Sequence, residues 1–441
     1  MDNFAALKKQ PHTILTIDHK LILQTKVASP NQDKKALSNI ITIFFKFAYY
    51  HGLSPFMIKD DSSKPVHVTW WFPKMVWIMN LVPCMLFRTA ESRLILDFAT
   101  DWNPAEYFRV FHALLKVVFH MTLWYYLWYK SEAYLTIVRF IHNSKNLPVP
   151  KAKILVKLLP LLLGVLFTVI AVILGTNSVT TLFNCSDSIG SDEYFGKVFR
   201  MWAERGKYAL FLINKSPACE HINVNTSLSL NDIAIGIFSG VGILFRQVSG
   251  FCEELLLPSG ICVFWLCSKE FSTRLTIASS SNQDVTSNLW EPIMAWYSSL
   301  KELSVLIKNA YADLLLYRLI LLIFDVPITF GIVDNIADQI RFLIMFLASA
   351  GSFIVAADAH KQIQTFESWV SKMVALDVPW LSSQRLAMLL HELQTNSVGI
   401  SLNVGFTITY SLVANASGVL ITYFIICVQY RNSPNNKLLS E

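Results

Sequence analysis

NVGFTITYSLVANASGVLITYFIICVQY, residues 403–430, is the stretch whose reading decides the fold of this 441-residue chain. It carries no charge before Arg431. As a helix rising about 1.5 Å per residue, it is long enough to cross a ~30 Å hydrocarbon core with some tilt. The segment is not uniformly apolar. Asn415, Thr422 and Gln429 recur every seven residues and share one helix face, with Gly418, Ile425 and Ile426 between them. That stripe admits two readings. Small and polar residues glue membrane helices to one another. A mildly polar stripe with bulky aliphatics also suits a pore wall that seals by dewetting.

Composition extends the membrane reading to the whole chain. Hydrophobic residues make up 53%, charged residues 15%, and mean hydropathy is +0.43. Globular proteins carry about 25% charged residues. Several long, nearly uncharged segments therefore predict a polytopic membrane protein. The net charge of +6 is spread without a dense Lys/Arg run, which argues against nucleic acid as a partner. The first 35 residues hold no apolar core of signal-peptide length. With nine Lys in residues 1–65, the N-terminus is expected in the cytosol.

The spans follow in order. Ile41–Ile58 is apolar but broken by Lys46, His51, Gly52 and Pro55, which predicts a short interfacial helix with Lys46 snorkelling, then a turn. Full spans are expected at Val66–Phe87, anchored by Trp70, Trp71 and Trp77, at Ala105–Tyr129 and at Ile154–Gly175. A fourth is expected at Ile233–Leu255, continuing as helix to about Phe271. The fifth to seventh are expected near Ala310–Val333, Ile340–Ala357 and Asn403–Tyr430. The expected fold is all-α, with seven transmembrane helices, a cytosolic N-terminus and an extracellular C-terminus.

Loop chemistry agrees with that topology. Between spans two and three lie Lys130, Arg139, Lys145, Lys151, Lys153 and Lys157 against Glu132 alone, as in a cytosolic loop. The loop 176–232 is long and polar, with glycosylation sequons at Asn184, Asn214 and Asn225 and a potential Cys185–Cys219 disulfide. These features favour the extracellular side. The chain thus divides into a cytosolic segment (1–65), helices one to four (66–271), and a cytosolic linker with an anchor helix (272–309). Helices five and six (310–357), cytosolic anchor helices (358–402), helix seven (403–430) and an extracellular tail (431–441) follow. This orientation is inverted relative to G-protein-coupled receptors. Their Asp/Glu-Arg-Tyr and Asn-Pro-x-x-Tyr signatures are absent from the corresponding places.

Two stretches assigned to the cytosol are strongly patterned. Residues 289–309 place Trp290, Ile293, Met294, Tyr297, Leu300, Leu303 and Ile307 at helical spacing. Residues 361–395 do the same with Phe366, Trp369, Val370, Met373 and Val374, then Leu386, Leu389, Leu390 and Leu393, with Pro379 between the halves. Either these helices lie on the membrane surface, or they extend spans four to seven below the bilayer and bundle there. Ser279–Asn288 reads as a flexible linker.

Enzymatic chemistry finds no foothold. There is no His-Glu-x-x-His, no Cys-x-x-Cys and no phosphate-cradling glycine loop, so neither catalysis nor a cofactor is expected. Cys262 and Cys267 have no nearby His and do not suggest a metal site, and His112, His120, His360 and His391 occur singly. Ionisable residues inside spans are costly and therefore informative. Arg246, Asp325 and Arg341, with Asp338, stand out. In one reading Arg246 pairs with Glu253, Glu254 or Asp325 and pins helices; the second reading is a pocket. In that second reading Asp325 and Arg341, walled by Phe238, Phe324, Phe330 and Phe342, bind a polar small molecule from outside.

Two short motifs add a resemblance. Thr422-Tyr-Phe-Ile-Ile-Cys-Val-Gln-Tyr430 resembles the signature that closes insect-type gustatory receptors: Thr-Tyr, five hydrophobics, Gln-Phe. Eight of nine positions fit, with Tyr430 in place of Phe. Gly52-Leu-Ser-Pro-Phe56 resembles the Gly-Leu-x-Pro-Phe element that precedes the first span of the same receptors. The resemblance implies a homotetramer, or a hetero-oligomer with related receptors, joined through a cytosolic anchor domain around one pore in the plasma membrane. It implies a ligand-gated, weakly selective cation channel opened by a small-molecule tastant. By the resemblance Gln429 would face the conduction path, with Ile425, Ile426 or Val428 as the hydrophobic gate; Thr422 and Asn415 join it through the seven-residue stripe. Phe424 stands where the sugar-sensing branch often has Glu, which weakens that assignment. An odorant-receptor relative of the same fold, a transporter and a non-channel signalling receptor are the alternatives.

Overall fold

The computed structural model describes residues 30–50, 56–59, 66–68, 125–150, 199–204, 206–208, 229–279, 283–332, 336–375, 382–395 and 398–431. Scattered positions between 54 and 123, and residues 210 and 212, complete the description, which excludes the side chains of 30–31, 47, 50, 66–68, 241–255, 283–288, 325–332, 336–345, 348, 375, 427–428 and 430–431. Its helices are α1 (Pro30–Tyr50), α2 (Ser131–Asn143), α3 (Leu230–Ser279), α4 (Gln283–Ile332), α5 (Ile336–Ala375), α6 (Ser383–Thr395) and α7 (Tyr410–Arg431). A short antiparallel pair, β1 (Met57–Lys59) and β2 (Val66–Val68), sets Ile58 opposite His67. Helix α3 is the hub and packs against α1, α4 and α5, while α7 leans on α4 and α5.

α1 departs from the sequence expectation. Leu37, Ile41, Phe45 and Ala48 recur at helical spacing and are all buried, so the apolar face of the expected helix packs within the protein. The helix begins at Pro30, well before Ile41, and packs on α2, α3 and β1. Apolar residues with one polar face fit a protein core as well as a membrane surface, which is why the sequence misplaced it. Lys34 Nζ donates to the carbonyls of His142 and Ser144 at 3.2 and 2.6 Å, at the C-terminal end of α2. Val66–Val68, expected to open the first span as helix, is instead strand β2, in keeping with its two β-branched valines.

α4 carries the first patterned stretch and α5 the first half of the second, whose other half, with Leu386 and Leu393, lies on the separate helix α6. At 50 residues α3 and α4 are each about 75 Å long. α3 starts at a reciprocal cap. The Ser229 hydroxyl accepts from the Asp232 amide at 3.1 Å, and the Asp232 carboxylate accepts from the Ser229 amide at 3.1 Å. Lys207 donates to Asp232 at 2.6 Å and, with the Ser229 bonds, holds this carboxyl down to about 2. α3 stops at Ser279 and α4 starts at Gln283, so most of the stretch expected as a linker is helical.

Two aromatic groups hold the helices together. Around Tyr134 of α2, Phe45 and Tyr311 lie at 5.0 and 5.3 Å between ring centroids, and Phe56 stacks on Phe45 at 4.9 Å. Further along, Phe271 of α3, Tyr297 of α4 and Phe366 of α5 converge. The Tyr297–Phe366 centroids are 4.7 Å apart, and Trp369 carries the group on to Trp290 at 5.6 Å. Ile293, Leu300, Leu303 and Ile307 are buried in this region, and Leu386 and Leu393 of α6 close over it. The amphipathic stretches on α4 and α5 are therefore buried against each other, and α6 packs on α5 as a separate helix.

Among the described residues, no helix is both long and apolar enough to cross a membrane. Most of the first expected span and all of the third fall outside those residues.

Glycines report how tightly α3 and α4 meet. A Cβ on Gly260 would lie 2.5 Å from the Tyr311 ring, whereas one on Gly351 of α5 meets nothing within 4 Å. Gly260→Ala is expected to cost about 1–3 kcal/mol through overpacking. Gly351→Ala should stabilise by up to about 1 kcal/mol, the helical preference of Ala over Gly. Denaturant unfolding of the purified protein followed by circular dichroism compares them; equal effects would show that the α3–α4 approach is not close.

Candidate functional site

The site is built around α7 and the chain that feeds it. Residues 398–409 form a tight hairpin and not the start of the seventh helix, which begins only at Tyr410. Asn403 and Gly405 explain the correction. Gly405 sits at φ +86°, where a side chain is strained, and its amide donates to the Leu402 carbonyl at 3.0 Å. Leu402 N–H donates to Phe406 O and Ile408 N–H to Ile400 O, at 2.7 and 2.8 Å. Ile400, Leu402 and Ile408 point into the core. Ser304 Oγ donates to Gly399 O at 2.6 Å, and His360 Nδ1 lies 3.0 Å from Val398 O. Gly399 has no room for a side chain, since a Cβ there would lie 2.7 Å from Thr407 and 2.9 Å from His360. The hairpin is bolted to α4 and α5.

Thr409 then caps α7, its hydroxyl accepting from the Leu412 amide at 3.2 Å. The helix is 22 residues long, about 33 Å. One of its faces packs on the chain: Leu412, Val413 and Ala416 are half-buried, and Leu420 is 6% exposed. The other face is open. Asn415, Gly418, Thr422, Ile425, Ile426 and Gln429 are all exposed. The stripe expected from the seven-residue spacing is thus uncovered by the chain's own core, as is the whole circumference of the helix from Ile421 to Ile426. The Thr422 hydroxyl donates to Gly418 O at 2.9 Å, one turn back. Val428 belongs to α7, with its side chain outside the described residues.

Two carboxylates meet the entry to α7. Asp313 of α4 accepts from Lys130 Nζ at 2.7 Å and from the Asn403 side-chain amide. Asp358 of α5 accepts from Trp265 Nε1 of α3 at 2.7 Å and from the Tyr410 hydroxyl at 3.1 Å. Arg318 of α4 is 4% exposed and donates through Nε to Ser349 Oγ of α5 at 2.8 Å. Sequence reasoning passed over these residues. A signal existed, because Asp313 and Arg318 are ionisable residues within the expected fifth span, and the cost argument applied to Asp325 covers them equally.

The expected ligand pocket is described only in part. Phe324 is half-buried on α4, with its ring edge-on to Phe111 at 5.4 Å. Phe238 is half-buried on α3. Gly236 and Gly240 flank it and let the segment 199–208 approach closely, since a Cβ on either would lie 2.8 or 2.5 Å from Phe199 or Trp202. Asp325 and Phe330 lie on α4, and Arg341 and Phe342 on α5, with side chains outside the described residues, as is that of Arg246. Asn184, Asn214, Asn225, Cys185 and Cys219 lie wholly outside them. Burial pushes the Cys262 thiol up to about 11 and Cys267 higher still, so both are poor nucleophiles and poor metal ligands.

No protein-family model and no curated protein matches the chain. Among solved structures it is similar to the insect olfactory receptor OR5 of Machilis hrabei, at 13% identity and a TM-score of 0.50, covering 90% of this chain and 97% of that one. The same receptor in complex with eugenol gives 12% identity and a TM-score of 0.46 over the same shares. The chain shares the fold of the first of these.

The two faces of α7 make opposite claims on stability. Leu420→Ala is expected to cost about 2–3 kcal/mol, as a buried Leu does. Thr422→Ala and Gln429→Ala should stay within about 0.5 kcal/mol. Thermal unfolding in detergent distinguishes them; a large loss from Gln429→Ala would place the stripe in a packed interface.

Proposed function

We propose that the chain is a multi-pass chemoreceptor of the insect gustatory type, working in the plasma membrane as a ligand-gated, weakly selective cation channel. The observation that carries this reading is the open stripe of α7. A polar and aliphatic face uncovered by the chain's own core needs either water or another copy, and a central pore supplies both. In a homotetramer, or a hetero-oligomer with related receptors, four such stripes surround one axis. Gln429 and Thr422 then face the ions, Ile425, Ile426 or Val428 forms the gate, and Asn415 lies toward the entry of α7. With no acidic ring on the stripe, four amides select weakly among cations.

The agonist in this reading is a small-molecule tastant. Asp325 and Arg341 give directional contacts within walls of Phe238, Phe324, Phe330 and Phe342, and binding favours the open arrangement. Glycans at Asn184, Asn214 and Asn225 and a Cys185–Cys219 bridge suit the extracellular loop. No catalysis and no cofactor enter this account. A volatile odorant as agonist is the second reading, favoured by the likeness to an olfactory receptor's fold.

Whole-cell recording from cells expressing the chain, screened with sugars, bitter compounds, amino acids and odorants, tests the proposal. A ligand-evoked cation current is expected, with conductance or selectivity altered by Gln429→Ala. A current indifferent to substitutions at Gln429, Ile425, Ile426 and Val428 would remove α7 from the pore.

A further inference from the structure

We infer that Asp313 and Asp358 form a two-point clasp on the chain entering α7, and that this clasp sets the resting position of the helix; the inference rests on reading α7 as the gate.

The hairpin and the helix it feeds are held in different ways. Ile400, Leu402 and Ile408 bury the hairpin, and Ser304 and His360 tie its backbone to α4 and α5. α7 has far less holding it. Among its described residues Leu420 alone is buried, and everything from Ile421 to Ile426 is exposed. A helix with so little apolar burial takes its position from whatever fixes its entry. Two side-chain contacts do so. Asn403, at the hairpin tip, donates its amide to Asp313, and Tyr410, the first residue of α7, donates its hydroxyl to Asp358 at 3.1 Å.

Each carboxylate is itself held by a further element. Asp313 is paired to Lys130, which follows the helical residues 125–129, and Asp358 accepts from Trp265 of α3. The Lys361 ammonium stands 5.8 Å above the Tyr410 ring and helps to keep it over α5. The clasp therefore ties the entry of α7 to α3, α4, α5 and the segment before α2 together. A relative shift of those elements reaches α7 first through these carboxylates. Because Tyr410 and Asn403 are exposed, both contacts can be released without unfolding the hairpin beneath them. Asn403, Tyr410, Asp313 and Asp358 are thus positioning residues, acting on ions only through α7.

The test uses the full chain and two mild variants, Tyr410→Phe, which keeps the ring, and Asn403→Ala. Hydrogen–deuterium exchange in detergent reads the clasp without any ligand. Amides of 409–416 should exchange about threefold to tenfold faster in the variants, the range one typical exposed hydrogen bond allows, with α3 to α5 unchanged. Whole-cell recording with no ligand added should then show a raised basal cation current in both variants. Unchanged exchange overturns the clasp whatever the currents do. Faster exchange with an unchanged basal current, in cells where Gln429→Ala does alter the evoked current, overturns its role in setting the gate. If neither wild type nor variants conduct with any compound tried, the channel reading falls, and exchange still decides whether the clasp positions α7.

Discussion

The close approach of α3 and α4 at Gly260 and Tyr311 is the constraint on which the architecture depends. With no side chain on Gly260, the Tyr311 ring lies against the α3 backbone, and its hydroxyl reaches Ser259 Oγ at 3.3 Å. Tyr311 in turn meets Tyr134, whose hydroxyl donates to Ala310 O at 3.3 Å, and Tyr134 meets Phe45. One line of aromatic contacts thereby links α4, α2 and α1 to the hub helix. A bulkier residue at 260 would push apart three elements, not two.

Much of the helical framework is legible in the sequence, because helical periodicity reports burial whatever covers the apolar face. Ile293, Leu300, Leu303 and Ile307, and later Phe366 and Val370, are spaced for one face and are buried on it. The same logic sets Asn415, Thr422 and Gln429 on one face of α7, since seven-residue spacing fixes a face regardless of its surroundings. Where reading failed, apolarity was taken for more than it says. Ile41–Tyr50 is apolar because much of it is core, and the apolar run from 398 to 408 belongs to a hairpin that buries Val398, Ile400, Leu402 and Ile408 while its tip, 403–406, stays exposed. The turn-forming pair Asn403 and Gly405 already marked that hairpin, and the valines at 66 and 68 marked a strand.

The functional region was less readable for a different reason. Its polar contacts join residues far apart in sequence, such as Lys130 with Asp313 and Trp265 with Asp358. No local pattern announces such pairs. Asp358 lies just beyond an expected span, where a charge attracts no notice, and Tyr410 is one of many aromatics in an apolar run. Only the fold brings them to the entry of α7.

The unbroken length of α3 and α4 has a mechanical consequence. Each runs 50 residues and is gripped near its middle, where Gly260 meets Tyr311, with Pro258 of α3 beside the grip as the point where that helix is free to bend. A rod pinned at its centre acts as a lever, and its two ends travel in opposite directions. Tilting one by about 5° moves an end ~35 Å away by about 3 Å, more than half a helical turn. A displacement too small to disturb packing at the fulcrum is thereby amplified at both extremities at once.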